Sequence, residues 1–306
     1  MARINWRKIL IGELSWKRLL RSILFVYASV SLYLFFGADR LIFLPPQPTY
    51  QDDASIVKLE TIDGDRISAT YFPNSSAVYT ILYAHGNNED LGQIASVLQN
   101  LNTLGFSVFA YDYRGYGTSE GKPSERNAYR DIDAAYGYLI QDLEIPPDRI
   151  IAYGRSVGGG SAIDLASRQP IGGLVVESSF VSAFRVVTRI PLFPFDKFAN
   201  IDKIDRVNCP VLVMHGTADE IIPFWHGEKL FQVAQIPKQS LWVAEAGHQD
   251  LVAIAGERYR QSLQEFRRLL VSIQRSAVSG QIFKDNSPMG NTPNTDSIQP
   301  SGSRNL

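Results

Sequence analysis

Cysteine is nearly absent from this chain, because Cys209 is the only one among its 306 residues. A single cysteine forms no internal disulfide and supplies no paired thiolates for a zinc or redox site. Histidine is also scarce, with four residues, and there is no HExxH pattern, closely spaced set of metal ligands or glycine-rich phosphate loop. We therefore expect no metal and no cofactor, in a folded chain that is not a disulfide-stabilised scaffold.

The chain as a whole has almost no net charge, but its charges are unevenly distributed along the sequence. The formal net charge is −1, yet residues 1–21 contain six basic residues and one acidic residue. The other residues contain 24 of the 30 basic and 30 of the 31 acidic side chains, so a segment of charge +5 precedes a body of charge −6. This asymmetry indicates either a membrane-orienting segment or a basic arm for nucleic acid. The apolar run that follows favours the membrane role, and we expect no nucleic-acid partner.

A long uncharged run begins directly after the basic segment. Residues 22–38 are seventeen residues without a charge, at the lower limit of the roughly 17–25 residues that cross a bilayer as a helix. Leucines at 19 and 20 lengthen the run, since the side chain of Arg21 can reach the lipid interface. We predict a transmembrane anchor over residues 19–38. The positive-inside rule then places the basic segment 1–21 in the cytoplasm and the chain after the span outside.

Two other interpretations of this run stay open. A cleaved signal peptide begins with the same basic and apolar pattern. Its cleavage site would be poor, because Phe36 occupies the third position before a cut after Ala38, where a small residue is required. The other alternative is an interfacial or core helix.

Beyond the run, a proline-rich linker over residues 39–50 leads into alternating strand and helix signals, which end in a long final helix that begins at Leu251. Alternating apolar strands and amphipathic helices are typical of an α/β protein, with a mainly parallel sheet and helices on both faces. We assign this domain to residues 51–275, and residues 276–306 are predicted to be a disordered tail. The predicted strands, of which the first two form a hairpin, cover residues 56–62, 66–72, 78–84, 106–111, 149–153, 173–176, 211–214 and 239–244.

The motif Gly154-Arg155-Ser156-Val157-Gly158 follows a predicted strand and precedes a helical stretch. A nucleophile elbow requires this strand–turn–helix setting, because the sharp turn lifts the serine hydroxyl clear of the backbone. Glycines on both sides allow the strained turn and close packing of the strand against the helix. We therefore predict that Ser156 is the catalytic nucleophile. An ordinary strand–helix turn is the alternative.

A serine nucleophile needs a base, and four histidines are candidates. His248 lies in a loop between the last predicted strand and the final helix, at the sheet edge where open α/β sheets place their sites. His85 and His215 end strands in His-Gly pairs, for which packing or loop hydrogen bonding is a sufficient explanation. His226 is expected at the surface, beside Trp225 at the start of a helix. His248 is thus the predicted base.

The acid that orients the base is expected between the serine and the histidine along the chain. Asp219 follows a predicted strand and fits this order. Glu177 and Glu220 are the alternatives, and an Asx turn that closes the loop would explain Asp219 structurally.

An oxyanion hole needs two backbone N–H groups directed at the developing charge. Val157, which follows the nucleophile, is expected to supply the first. The loop after the first parallel strand is expected to supply the second, with Asn87 as the first choice and Asn88 as the alternative.

With these motifs in this order, the chain resembles the α/β-hydrolase superfamily over residues 50–272. Within it, the chain is most similar to membrane-associated serine hydrolases that include eukaryotic protein depalmitoylases. The motifs that carry the resemblance are Ala84-His85-Gly86-Asn87, Asp90-Leu91-Gly92-Gln93, Tyr111-Asp112-Tyr113-Arg114-Gly115-Tyr116-Gly117, Pro123-Ser124-Glu125-Arg126-Asn127, Asp131-Ile132-Asp133-Ala134-Ala135, His215-Gly216-Thr217 with Asp219, and Gly247-His248.

The resemblance implies the α/β-hydrolase fold, a triad of Ser156, His248 and Asp219, and hydrolysis of acyl esters or thioesters without a cofactor. The depalmitoylases that it resembles have an N-terminal cysteine cluster that is itself acylated. This chain departs from them, because a predicted membrane span replaces the lipid anchor and no cysteine precedes Cys209.

An insert over about residues 178–208 separates two predicted strands and is rich in phenylalanine. We predict that it forms a small lid, and that Phe180, Phe184 and Phe193 line an apolar acyl pocket at the membrane surface. Alternatively, these rings only pack a connecting helix onto the sheet. The predicted function is that of a membrane-anchored serine hydrolase acting on small-molecule or lipid-like acyl esters or thioesters. A serine peptidase or amidase and a tethered binding module without turnover are the alternatives.

Overall fold

A computed structural model describes residues 16–285 of the chain. The strands of this part are β1 (Ile56–Glu60), β2 (Arg66–Phe72), β3 (Thr80–Ala84), β4 (Ser107–Tyr111), β5 (Ile150–Arg155), β6 (Gly173–Glu177), β7 (Val211–Gly216) and β8 (Lys238–Val243). They form one eight-stranded sheet in the order β1-β2-β4-β3-β5-β6-β7-β8. β2 pairs antiparallel with β1 and with β4, whereas all other neighbours are parallel. The predicted hairpin and the mainly parallel sheet are therefore both present.

The central strands are buried on both faces of the sheet. Successive side chains of a strand point to opposite faces. In β3, Leu82 and Ala84 therefore join one hydrophobic core, whereas Ile81 and Tyr83 join the other. Strands covered on both faces have near-continuous apolar sequences, which is why short apolar runs predicted them well.

Helices cover both of these cores. The α-helices of the described residues are α1 (Trp16–Ile42), α2 (Leu91–Thr103), α3 (Glu125–Gln141), α4 (Gly158–Arg168), α5 (Ala183–Thr188), α6 (Trp225–Val233), α7 (Leu251–Ala255) and α8 (Glu257–Asp285). Side chains of α3 and α4 pack on one face of the sheet, and those of α2 and α8 pack on the other. Ser124 precedes α3, and its hydroxyl caps the helix by accepting a hydrogen bond from Asn127 N at 3.1 Å.

The C-terminal region differs from its prediction in two ways. The helix predicted to run on from Leu251 is interrupted at Gly256, whose φ of 52° lies in the left-handed region that ends a helix. In addition, α8 continues past residue 275, where the domain was predicted to end, to Asp285. Between Glu257 and Pro288 the sequence contains no proline that would stop the helix. The rest of the predicted tail, residues 286–306, lies outside the described residues.

The apolar run near the N-terminus forms α1, which contains the predicted span 19–38 and extends beyond it at both ends. Within the described residues, α1 is the one helix long and apolar enough to cross a membrane, with a mean hydropathy of 1.8 over its best window and no part of that window buried. Its 27 residues correspond to about 40 Å of helix. Residues 1–15 of the predicted cytoplasmic segment lie outside the described residues.

The predicted linker is irregular only after Ile42, because its first four residues continue α1. Phe43 is buried against the rings of Tyr113, Tyr116 and Phe198. The linker is thus held against the domain instead of acting as a free spacer.

The insert between β6 and β7, which we call the cap (residues 178–208), contains α5 and two single turns of 3₁₀-helix, Asn200–Asp202 and Ile204–Arg206. It lies at the carboxyl end of β6, and therefore at the same sheet edge as the residue that follows β5.

Candidate active site

Ser156 lies in the sharp turn between β5 and α4. Its φ of 53° is a left-handed value, which residues other than glycine adopt only under strain. Two glycines make the turn possible. A Cβ atom at Gly154 would overlap the backbone of α4, and one at Gly158 would overlap the carbonyl group of Ala84 on β3. The Ser156 hydroxyl is thereby held at the edge of the sheet.

Ser156, His248 and Asp219 form a continuous hydrogen-bonded chain. Asp219 Oδ2 lies 2.8 Å from His248 Nδ1, and His248 Nε2 lies 3.1 Å from Ser156 Oγ. A carboxylate accepts, so Nδ1 carries the ring proton and Nε2 accepts from the serine hydroxyl. The structure therefore brings together the three residues that the sequence analysis selected.

The surroundings of Asp219 keep it ionised. Its Oδ1 accepts hydrogen bonds from the backbone N–H groups of Ile221 at 3.0 Å and Ile222 at 2.7 Å. Burial alone would raise the pKa of this carboxyl. The hydrogen bonds with His215 and His248 and the charge of His248 outweigh burial and hold the pKa well below its usual value. A charged Asp219 can orient and stabilise the imidazole.

Both alternative acids lie elsewhere. Glu177 accepts a hydrogen bond from the buried hydroxyl of Tyr153 and faces Arg155, with 3.4 Å between Glu177 Oε1 and Arg155 Nε. Burial raises the pKa of Glu177, against the lowering effects of the Arg155 charge and the Tyr153 hydrogen bond. Glu220 is exposed. Neither glutamate forms a hydrogen bond to His248 among the described contacts.

The other three histidines are all buried. The ring nitrogens of His85 lie 2.7 Å from the carbonyl oxygen of Gly86 and 3.2 Å from Asp112 Oδ1. His215 Nε2 lies 2.8 Å from the carbonyl oxygen of Ile222. The surface position predicted for His226 was wrong. His226 lies on the face of α6 that turns inward. Its Nδ1 accepts a hydrogen bond from the buried N–H of Val181 at 3.1 Å.

The backbone N–H groups of Val157 and Asn87 have no hydrogen-bond partner among the described contacts, and both residues line the same cavity as Ser156. The N–H of Asn88, the alternative donor, is engaged by Asn87 Oδ1 at 3.0 Å. This difference favours Asn87 over Asn88 as the second oxyanion donor.

The side chain of Asn87 connects α1 to this loop, a role that the sequence analysis missed. Its Nδ2 donates to the carbonyl oxygen of Ile42 at 2.6 Å. Its Oδ1 accepts from Leu44 N at 2.9 Å and from the Tyr116 hydroxyl at 2.6 Å. The end of the apolar helix is therefore bonded directly to the proposed oxyanion loop.

Arg155 links the loops that surround the nucleophile. Its guanidinium forms an ion pair with Glu89, whose other carboxylate oxygen accepts from Gly86 N at 2.9 Å. It also donates to the carbonyl oxygen of His248 at 3.3 Å and to Gln249 Oε1 at 2.7 Å. The Arg155 side chain is largely buried. We therefore interpret it as a positioning residue for both loops.

A cavity of about 620 Å³ opens beside Ser156, a size typical of small-molecule sites. The structure places all three predicted pocket residues, Phe180, Phe184 and Phe193, on its wall. The opposite wall comes from α1. Its lining residues on that helix are Leu34, Ala38, Leu41 and Ile42.

Comparison with known proteins places this site in a family. The serine aminopeptidase S33 family matches residues 75–200, and the prolyl oligopeptidase family matches residues 191–270. The α/β-hydrolase domain-containing protein 17B of Homo sapiens is 38% identical over 260 residues, covering 75% of this chain and 90% of that protein. The α/β-hydrolase domain-containing protein aho-3 of Caenorhabditis elegans is 37% identical, covering 74% and 76%. The chain belongs to the α/β-hydrolase domain-containing protein 17 family.

As a member of this family, the protein is a serine hydrolase. Solved structures agree on the fold. A Pyrococcus furiosus esterase superposes with a TM-score of 0.62 at 20% identity, covering 74% of this chain and 98% of the esterase. The esterase domain of a Rhodothermus marinus protein gives a TM-score of 0.53 at 22% identity, covering 67% and 96%. The α/β-hydrolase fold expected from the motifs is confirmed.

Proposed function

We propose that this hydrolase is bound to a membrane by α1 and cleaves long-chain acyl esters or thioesters through Ser156, His248 and Asp219. One observation carries the proposal. The hydrogen-bonded chain of these three side chains ends at a hydroxyl on the wall of an apolar cavity.

The geometry supports an acyl-enzyme mechanism. Ser156 Oγ attacks the carbonyl carbon while its proton passes to His248 Nε2, and Asp219 stabilises the resulting imidazolium. The amides of Val157 and Asn87 bind the oxyanion. The C–S or C–O bond then breaks, and His248 gives its proton to the departing thiolate or alkoxide. A water molecule, deprotonated by His248, then attacks the acyl-serine ester. The bond between the acyl carbon and Ser156 Oγ breaks, and His248 returns the proton to Oγ, which releases the carboxylic acid and regenerates the enzyme.

A peptidase is the second candidate, because the S33 aminopeptidase family matches residues 75–200. The cavity argues against it. An aminopeptidase must bind a charged α-amino group, which requires a carboxylate in a site that excludes water. Among the described residues, the lining of the cavity contains no aspartate and no glutamate. An acyl chain, by contrast, matches a wall of aliphatic and aromatic side chains.

The basic residues that precede the apolar run support an orientation with the N-terminus in the cytoplasm and the hydrolase domain outside. To test it, Ile236→Cys in a Cys209→Ser background would be labelled in intact cells with a membrane-impermeant maleimide. Ile236 is exposed and lies just before β8. Labelling only after the cells are permeabilised would contradict the orientation.

The enzymatic proposal is tested by labelling with a fluorophosphonate. We expect the wild-type protein to be labelled and the Ser156→Ala variant to remain unlabelled, because Ser156 is the activated nucleophile. Folded wild-type protein without this label would favour the tethered binding module. Acyl thioesters and peptide amides would then be compared as substrates, and faster cleavage of the amides would favour the peptidase.

A further inference from the structure

The part of α1 from Tyr27 to Phe35 lies against the cap. The hydroxyl of Tyr27 donates to the carbonyl oxygen of Leu192 at 3.0 Å, and the Tyr27 ring stacks on that of Phe193 with 5.9 Å between centroids. Farther along, Phe35 packs edge-on against Phe195 at 5.2 Å. Tyr27 and Phe35 are separated by about 12 Å along the helix axis. The cap therefore follows α1 through part of the apolar run that is proposed to cross the bilayer.

The composition of this part of the cap suits a hydrocarbon environment. Residues 190–195 carry no charge. Pro191 and Pro194 have no backbone N–H that lipid would leave without a partner, and the carbonyl oxygen of Leu192 is satisfied by α1. Two charged residues flank this stretch. Arg189 is exposed, and its long side chain can reach the interface, whereas Asp196 accepts hydrogen bonds from Ser182 Oγ at 2.6 Å and Phe184 N at 2.9 Å. These features reduce the free-energy cost of placing this part of the cap in lipid.

The active-site cavity has an apolar rim that is open to the surroundings. Leu41, Val187 and Ile221 line it and are 55%, 85% and 49% exposed. Leu34 and Ala38 contribute to its wall from α1. These two residues are four positions apart and therefore share one face of the helix. The membrane helix is thus also a wall of the active site.

From these contacts we propose that the cap is immersed in lipid beside α1, and that a long-chain acyl group enters the cavity from the bilayer between α1 and α5. This inference rests on the proposed function, since it concerns the acyl group that Ser156 would attack. Leu34 then limits the length of the acyl chain that the site accepts. The ligand chemistry is an acyl chain lying in the bilayer, carried by either a lipid ester or an acylated protein.

The wall is tested with the full chain in phosphatidylcholine vesicles. The Leu34→Phe variant is compared with Leu32→Phe, a matched change at an exposed residue that does not line the cavity. We expect Leu34→Phe to lower the ratio of palmitoyl to butanoyl thioester hydrolysis by about tenfold or more, because the larger ring occupies space that several methylene groups of the palmitoyl chain would fill. Leu32→Phe is expected to leave the ratio unchanged. An unchanged ratio in both variants would overturn the assignment of Leu34.

Immersion of the cap is tested separately by fluorescence. In a Cys209→Ser background, Val187→Cys and Ile236→Cys are labelled with bimane in vesicles that contain brominated lipids. Val187 and Ile236 are equally exposed, at 85% and 83%, but Ile236 lies at the opposite end of the parallel strands from Ser156. We expect quenching at position 187 and none at position 236. No quenching at 187 would overturn the immersion.

Further measurements separate the inference from the proposed function. If the wild-type protein shows neither Ser156-dependent labelling nor hydrolysis of the butanoyl thioester, the proposed function itself is rejected. With both retained, a palmitoylated lysophospholipid and an S-palmitoylated peptide are offered in the same vesicles. Hydrolysis of either supports entry from the bilayer and identifies the source of the acyl group. Hydrolysis of neither overturns the inference.

Discussion

The substitution Asp219→Asn tests the proposed triad while preserving the loop that carries it. Asn Oδ1 can still accept the two backbone hydrogen bonds from Ile221 and Ile222. The new Nδ2 would face His248 Nδ1 at the present 2.8 Å and donate to it. His215 retains its hydrogen bond to the carbonyl oxygen of Ile222. We therefore expect the variant to fold.

The expected cost is catalytic. When Nδ1 of His248 accepts a hydrogen bond, the ring proton moves to Nε2, which can then no longer take the proton of Ser156 across 3.1 Å. The same change of tautomer in serine proteases lowers kcat by about 10⁴-fold, which is about 5 kcal/mol of transition-state stabilisation. Steady-state hydrolysis of a butanoyl thioester would measure kcat. Glu220→Gln, on the neighbouring exposed residue, is the control and should be neutral. A properly folded Asp219→Asn variant that keeps most of its activity would refute the assignment.

Three further predictions concern the support of the site. Arg155→Met leaves the buried carboxylate of Glu177 and the partly buried carboxylate of Glu89 without their cation, so we expect the unfolding free energy in chemical denaturation to fall by about 3–5 kcal/mol; an unchanged midpoint would contradict this. Gly158→Ala places a Cβ against the carbonyl of β3 and should cost about 1–3 kcal/mol and weaken fluorophosphonate labelling, whereas Gly137→Ala, with open space around it, should do neither. Burial, helped by the charges of His215 and Arg185, lowers the pKa of His226 to about 4. The unfolded chain then binds more protons than the folded one between pH 6.5 and 4, so the unfolding free energy should fall by up to about 3 kcal/mol as the pH drops through this window. His226→Gln should remove that dependence. A variant with the same pH profile as the wild-type protein would contradict the assignment to His226.

Much of the site was predictable because its signals are local in the sequence. The glycines around Ser156 mark a turn that tolerates a left-handed φ and close packing on β3. Parallel strands bring their carboxyl ends to one edge of a sheet, so the loops that hold Asp219 and His248 were expected there. Their hydrogen bonds to one another agree with that reasoning.

The predictions failed where the structure depends on contacts that no local sequence pattern indicates. Residue order could not show which face of α6 turns toward the sheet, so His226 was expected at the surface. The proline-free stretch after residue 275 was interpreted by its polar composition alone, and the continuation of α8 was missed. The guanidinium of Arg155 spans loops that are far apart in the chain, and no periodicity indicates such contacts.

By itself, the sequence determined the strand pattern, the elbow at Ser156 and the chain order of the candidate acid and base, because these follow from residue type and short-range spacing. Only the tertiary structure decided that the apolar helix forms a wall of the active-site cavity. Tyr27 and Leu192 are 165 positions apart, and their contact depends on how the helix, the linker and the cap pack together. Hydropathy identifies an apolar surface, but only packing decides whether lipid or another part of the protein covers each face of it.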